Sequence, residues 1–169
     1  VKETVMKKSI FIAALFITFF GCTSQQGDQL TQAERDQIKK EVKVTVDSMF
    51  AKWRRLDLDG ALQYYSPELV VMGDSTIMDY QTGKKGWMEF FGSVESANWP
   101  ETHLELIVVT RDVVISAWVG KMNLVFKSGD KLTADPMKFT DVFKKSGGQW
   151  KAVYEHGSGC PVMEEAAKK

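Results

Sequence analysis

Residues 131–156 read KLTADPMKFTDVFKKSGGQWKAVYEH, and their reading decides the fold class. Residues 131–144 and 149–156 are rich in β-branched and aromatic side chains, and Ser146-Gly147-Gly148 lies between them as a turn. That pattern predicts a β-hairpin. In its first strand Phe139, Asp141 and Phe143 alternate with Lys138, Thr140, Val142 and Lys144. In its second, Trp150, Ala152, Tyr154 and His156 share one parity, opposite Lys151, Val153 and Glu155. Strict alternation would place these two sets on opposite faces of a sheet.

Working back towards the N-terminus, residues 103–110 and 113–126 read as two more strands, with Arg111-Asp112 and Ser128-Gly129-Asp130 as turns. Ahead of them the pattern is helical. Thr31 with Glu34 fits a capping box. Ile38, Val42, Val46, Met49, Trp53 and Leu56 then recur every three or four residues, an apolar stripe on one long helix. Asp57-Leu58-Asp59-Gly60 ends it, residues 61–65 form a short second helix before Pro67, and residues 69–72 form a strand. Trp87, Phe90, Phe91 and Val94 suit a third helix. Helices gathered first and hairpin-linked strands last predict an α+β fold, with N-terminal helices packed on a curved antiparallel β-sheet.

The N-terminal residues carry a different message. Lys7 and Lys8 precede an 11-residue run from Ile10 to Phe20 that is apolar except for Thr18, followed by Gly21 and Cys22. A charged start, a short apolar core and a small residue at the cut describe a secretory signal peptide, with Met6 as the expected start. The run is too short to span a bilayer, which takes about 20 apolar residues. Phe19-Phe20-Gly21-Cys22 resembles the lipobox of bacterial lipoproteins, which implies a lipid on Cys22 as the mature N-terminus. Thr23 rather than Asp after that cysteine favours, by the same resemblance, the outer membrane facing the periplasm. The expected organisation is a leader over 1–21, a lipidated cysteine and tether over 22–30, one domain over 31–163 and a tail over 164–169. The 22 basic residues equal the 22 acidic ones, so nucleic acid is a poor candidate partner. His103 and His156 lack zinc-ligand spacing and no phosphate loop appears, so no metal or cofactor is expected.

Three segments carry a wider resemblance. Leu56-Asp57-Leu58-Asp59-Gly60-Ala61-Leu62, the hairpin Thr140-Asp141-Val142-Phe143 to Gly147-Gly148-Gln149-Trp150-Lys151, and Glu155-His156-Gly157-Ser158 together resemble SnoaL-like (including DUF4440) domains of the NTF2-like superfamily. The resemblance implies a cone-shaped α+β fold around one pocket, often dimeric through its sheet. It does not imply one function, because the superfamily hosts enzymes and non-catalytic binders on the same frame.

Within such a cone Asp141 is the foremost candidate, since alternation sets its carboxyl between Phe139 and Phe143 and desolvation there would raise its pKa. Its alternative is a carboxylate held by a neighbouring strand or a lysine. Thr140-Asp141-Val142-Phe143 resembles the segment of ketosteroid isomerase that carries a protonated Asp, and Asp74 falls near the place of its base. Met49 stands where the resemblance would require a Tyr, which tells against isomerase chemistry of that kind. His156 is a candidate base or partner of Asp141, or else an imidazole bonded to a backbone carbonyl or Ser158. Tyr80, Trp87, Trp118, Met122, Met137, Phe139 and Tyr154 are candidates for the pocket wall, or simply core. The expected function is a lipid-anchored pocket for a small apolar molecule. Its alternatives are a cofactor-independent isomerase or dehydratase with an Asp/His pair, and a dimeric interaction module.

Overall fold

The computed structural model describes residues 29–73 and 76–166; the expected leader, Cys22 and Asp74 lie outside them. Helix α1 (Gln32–Arg54) starts where the capping box sets it. Glu34 N donates to Thr31 Oγ1 at 3.2 Å, and Thr31 N donates to Glu34 Oε2 at 2.7 Å. Its predicted stripe from Ile38 to Trp53 is its buried face, joined by Phe50, but Leu56 lies past the end of the helix, at a positive φ of 56°. Asp57 caps α2 (Leu58–Leu62) by accepting from Gly60 N at 3.0 Å. Asp79 caps α3 (Tyr80–Gly92) by accepting from Thr82 N at 2.8 Å.

Among the described residues the strands are β1 (Tyr65–Met72), β2 (Ile77–Asp79), β3 (Val94–Asn98), β4 (Glu101–Val108), β5 (Val113–Phe126), β6 (Lys131–Ser146) and β7 (Gln149–Glu164). They form one sheet in the order β2-β1-β7-β6-β5-β3, with β4 also on β5. β3 takes the C-terminal half of β5 and β4 takes its N-terminal half. Between them Trp99-Pro100 turns the chain, and the Pro100 carbonyl accepts from Lys121 N. α1 lies against β3 and β4, and α3 against β1, closing one face of the sheet over the core.

The structure departs from the expected hairpin arrangement at three places. The sheet is mixed rather than antiparallel throughout, because β1 runs parallel to β7. These strands are remote in sequence, so no tight turn dictates their direction. Val94 opens β3 instead of extending the third helix. β7 continues eight residues past His156, with Glu164 reaching Lys131 of β6. Its glycines do not stop it: a Cβ at Gly157 would come within 2.8 Å of the Phe139 ring, so the bare backbone is what lets the strands close there.

Candidate functional site

A cavity of about 330 Å³ opens between the helices and the inner sheet face. α1 supplies Met49, Phe50 and Trp53, neighbours on one helix face. α3 supplies Trp87, Phe90 and Phe91, and the β3–β4 turn supplies Trp99. The strands add Tyr65, Met122, Met137 and Phe139, and two acids, Asp141 and Glu155.

The two acids are side by side because of a bulge. Ala152 pairs with Phe143, but the next residue paired on β7 is Tyr154, opposite Val142, which leaves Val153 without a partner on β6. An extra residue on one strand reverses the alternation beyond it. Glu155 therefore turns inward opposite Asp141, and His156 pairs with Thr140. The expected Asp141–His156 pair is not formed; the acid facing Asp141 is Glu155. Directly opposed side chains have Cβ atoms about 4.5–5.5 Å apart, so the carboxyls are neighbours across β6 and β7.

Asp141 is 1% exposed and Glu155 7%. Tyr65 Oη donates to Glu155 Oε2 at 2.8 Å and accepts from Trp53 Nε1 at 3.3 Å. Neither oxygen of Asp141 has a hydrogen-bond partner among the described residues; Ser116 Oγ, on the residue paired with Asp141 from β5, and Trp99 Nε1 are likewise buried and unpartnered. Burial, then the charge of Glu155, pushes Asp141 well above the usual carboxylate range. Burial also pushes Glu155 up to about 7, against the opposing pull of the Tyr65 hydroxyl. Tyr65 is itself pushed well up by burial and by the charges of Glu155 and Asp141, so it stays a donor. The site can hold a proton on Asp141 while Glu155 titrates near neutrality.

Tyr65→Phe should raise the Glu155 pKa further, because it removes the hydrogen bond that favours the charged form. It also leaves Trp53 Nε1 without its acceptor, at a stability loss of about 1–3 kcal/mol. Carboxyl carbon NMR titration and urea unfolding read the two effects. A Glu155 pKa that stays put or falls would contradict the hydrogen-bond assignment.

Of the residues predicted for the site, Asp141, Trp87, Met122, Met137 and Phe139 line the cavity. Trp118 does not; it lies behind the wall, stacked on Phe50 with ring centroids 4.8 Å apart. Tyr80 packs at the margin of the core. Tyr154 donates instead to Met72 Sδ at 3.6 Å, and Asp74 lies outside the described residues. Sequence reading missed Glu155 and Tyr65, whose direction depends on the bulge and on a strand that begins earlier than its apolar run.

A strongly curved sheet, a long helix across its open side and an inward acid pair are the frame on which family comparison bears. The SnoaL-like domain family matches residues 42–163. The chain belongs to that family. Similar solved structures include a candidate scytalone dehydratase from Novosphingobium aromaticivorans DSM 12444, at 8% identity and TM-score 0.70, covering 82% of this chain and 94% of that one. A candidate dehydratase of the NTF2-like family from Streptomyces avermitilis matches at 12% identity and TM-score 0.66, covering 74% and 97%. The hexachlorocyclohexane dehydrochlorinase LinA-type3 from Novosphingobium barchaimii LL02 matches at 10% identity and TM-score 0.64, covering 78% and 94%. These likenesses give the SnoaL-like chain its α+β cone fold. No curated protein matches the sequence.

Proposed function

We propose that this SnoaL-like cup binds a one- or two-ring, largely apolar molecule and meets its polar end with Asp141 and Glu155. One observation carries the reading: Asp141 lines the cavity, and both of its oxygens are buried and, among the described residues, without a hydrogen-bond partner. Buried polar groups are nearly always hydrogen-bonded, and a ligand atom would complete this one. The volume of about 330 Å³ lies at the small end of the roughly 300–1,000 Å³ range of ligand pockets. The same reading keeps the cup at a membrane through lipid on Cys22, on the support of residues 7–22.

Trp53, Trp87 and Trp99 on the wall make binding visible by their fluorescence. 2-Naphthol should quench it saturably. Asp141→Leu should weaken that binding about tenfold, the worth of one hydrogen bond of roughly 1.4 kcal/mol. Met137→Trp, which fills the cavity, should abolish it. Quenching that is unsaturable, or indifferent to both substitutions, would remove the pocket reading.

A second reading is proton-transfer catalysis, favoured by a buried Glu155 that titrates near neutrality beside a neutral Asp141. A base poised near the working pH is efficient. Glu155 would take a proton from carbon while Asp141 returned one to a departing oxygen, an elimination. Solved neighbours named as dehydratases and a dehydrochlorinase lend support to that class.

A further inference from the structure

We infer that the polar end of the molecule in this cavity is an organic cation, a substituted ammonium on a ring-bearing body. The inference rests on the pocket reading above and names its ligand class. The cavity wall is rich in rings, with the acids on β6 and β7, and Phe91 joins two sets of them, 4.9 Å from Trp53 and 6.1 Å from Trp99. Trp53, Tyr65 and Trp87 form one set, with centroids 6.4, 6.0 and 5.1 Å apart pairwise. Phe50, Trp99 and Phe139 form the other, at 6.0, 6.1 and 5.7 Å. Ring faces attract cations, and more strongly in a desolvated site.

The charge around the pair points the same way. From β7 Glu155 faces Asp141, from β1 comes the Tyr65 hydroxyl, and from β5 the uncharged Ser116. The lining residues of α1 and α3 are apolar or aromatic, and no Lys, Arg or His lines the cavity among the described residues. The pair therefore carries no internal counter-charge once it loses a proton. An anion would be repelled by it, and a wholly apolar molecule would leave the Asp141 oxygens as they are. A cation supplies the missing charge and finds ring faces for its apolar substituents. Its affinity should rise with pH, because deprotonation of the pair is what creates its partner.

Benzyltrimethylammonium and its carbon isostere neopentylbenzene separate charge from shape, and neither titrates. Titrated against the full chain by tryptophan fluorescence, the cation should bind about tenfold or more tightly than the isostere at pH 8.5. That preference should shrink towards one at pH 5. Glu155→Gln should lower it at pH 8.5; the wild-type pH series serves as well if that variant does not fold. Equal or better binding of neopentylbenzene at both pH values would overturn the cation and leave the pocket standing. Binding of neither compound would overturn the pocket reading, and the inference with it.

Discussion

Raising the pH from 5 to 8 should destabilise this protein, and Asp141→Leu should remove much of that loss. Asp141 and Glu155 both have raised folded-state pKa values, Glu155 about 7, whereas the unfolded chain titrates near 4. Between those limits the folded state holds a proton that the unfolded state has released. Stability then falls as pH rises, by up to about 1.4 kcal/mol per pH unit for each group. The Glu155 share levels off above about pH 7, and the Asp141 share continues beyond it. The acid side runs oppositely. Glu34 and Glu41 are held down at about 2, the first by the Thr31 amide and hydroxyl and the second by Lys145 and Trp150. Their stabilisation is present above the ordinary pKa of 4.5 and is lost as pH falls towards 2. Both are surface groups, so their effect is small. The stability maximum should therefore fall near about pH 5. At pH 8 Asp141→Leu should exceed wild type by about 1–3 kcal/mol, as a buried carboxyl without a hydrogen-bond partner among the described residues gives way to an apolar side chain of the same branching. Urea midpoints over this pH range read both effects. A wild-type midpoint that is flat or rising from pH 5 to 8 would refute the buried pair. A gain in stability with weakened 2-naphthol binding would mark Asp141 as a residue kept for its site at the expense of the fold.

The elements that were legible in the sequence are those whose signal is local. The Thr31–Glu34 box and the stripe from Ile38 to Trp53 predict α1 because cap and face lie within one segment. The hairpin of β6 and β7 was legible from its glycine turn and flanking aromatics. What positions the acids is not local. The bulge at Val153 carries no glycine and no break in strand propensity, yet it decides whether Glu155 or His156 turns inward. It coincides with a register shift of β1 against the same stretch of β7, between Tyr65 and Val70, so it belongs to the pairing of β7 with two neighbours. The parallel direction of β1 is likewise set across the sheet. Asp141 was identifiable because β6 keeps its alternation from Phe139 to Phe143; Glu155 was not, because β7 breaks its own.

Trp118 shows how far the site depends on what lies behind its wall, and Trp118→Ala should be among the most destabilising single substitutions. The ring is 1% exposed, stacked on Phe50 at an 18° interplanar angle and packed 5.7 Å from Phe139. β5 accommodates it by having no side chain at Gly120, where a Cβ would run into the ring and the Pro100 carbonyl. Truncating a buried aromatic of this size typically loses about 3–5 kcal/mol, because the surroundings close only partly over the space. Phe50 and Phe139 both line the cavity and both rest on Trp118, so the loss reaches the binding surface. Phe50 should sink into the vacated space, enlarging the cavity and weakening 2-naphthol. Trp118→Phe keeps a ring against Phe50 and should lose substantially less on both measures. Urea unfolding with parallel 2-naphthol titrations tests this. A loss below about 1 kcal/mol for Trp118→Ala, or unchanged 2-naphthol affinity in a folded variant, would mean that the wall stands without the tryptophan behind it.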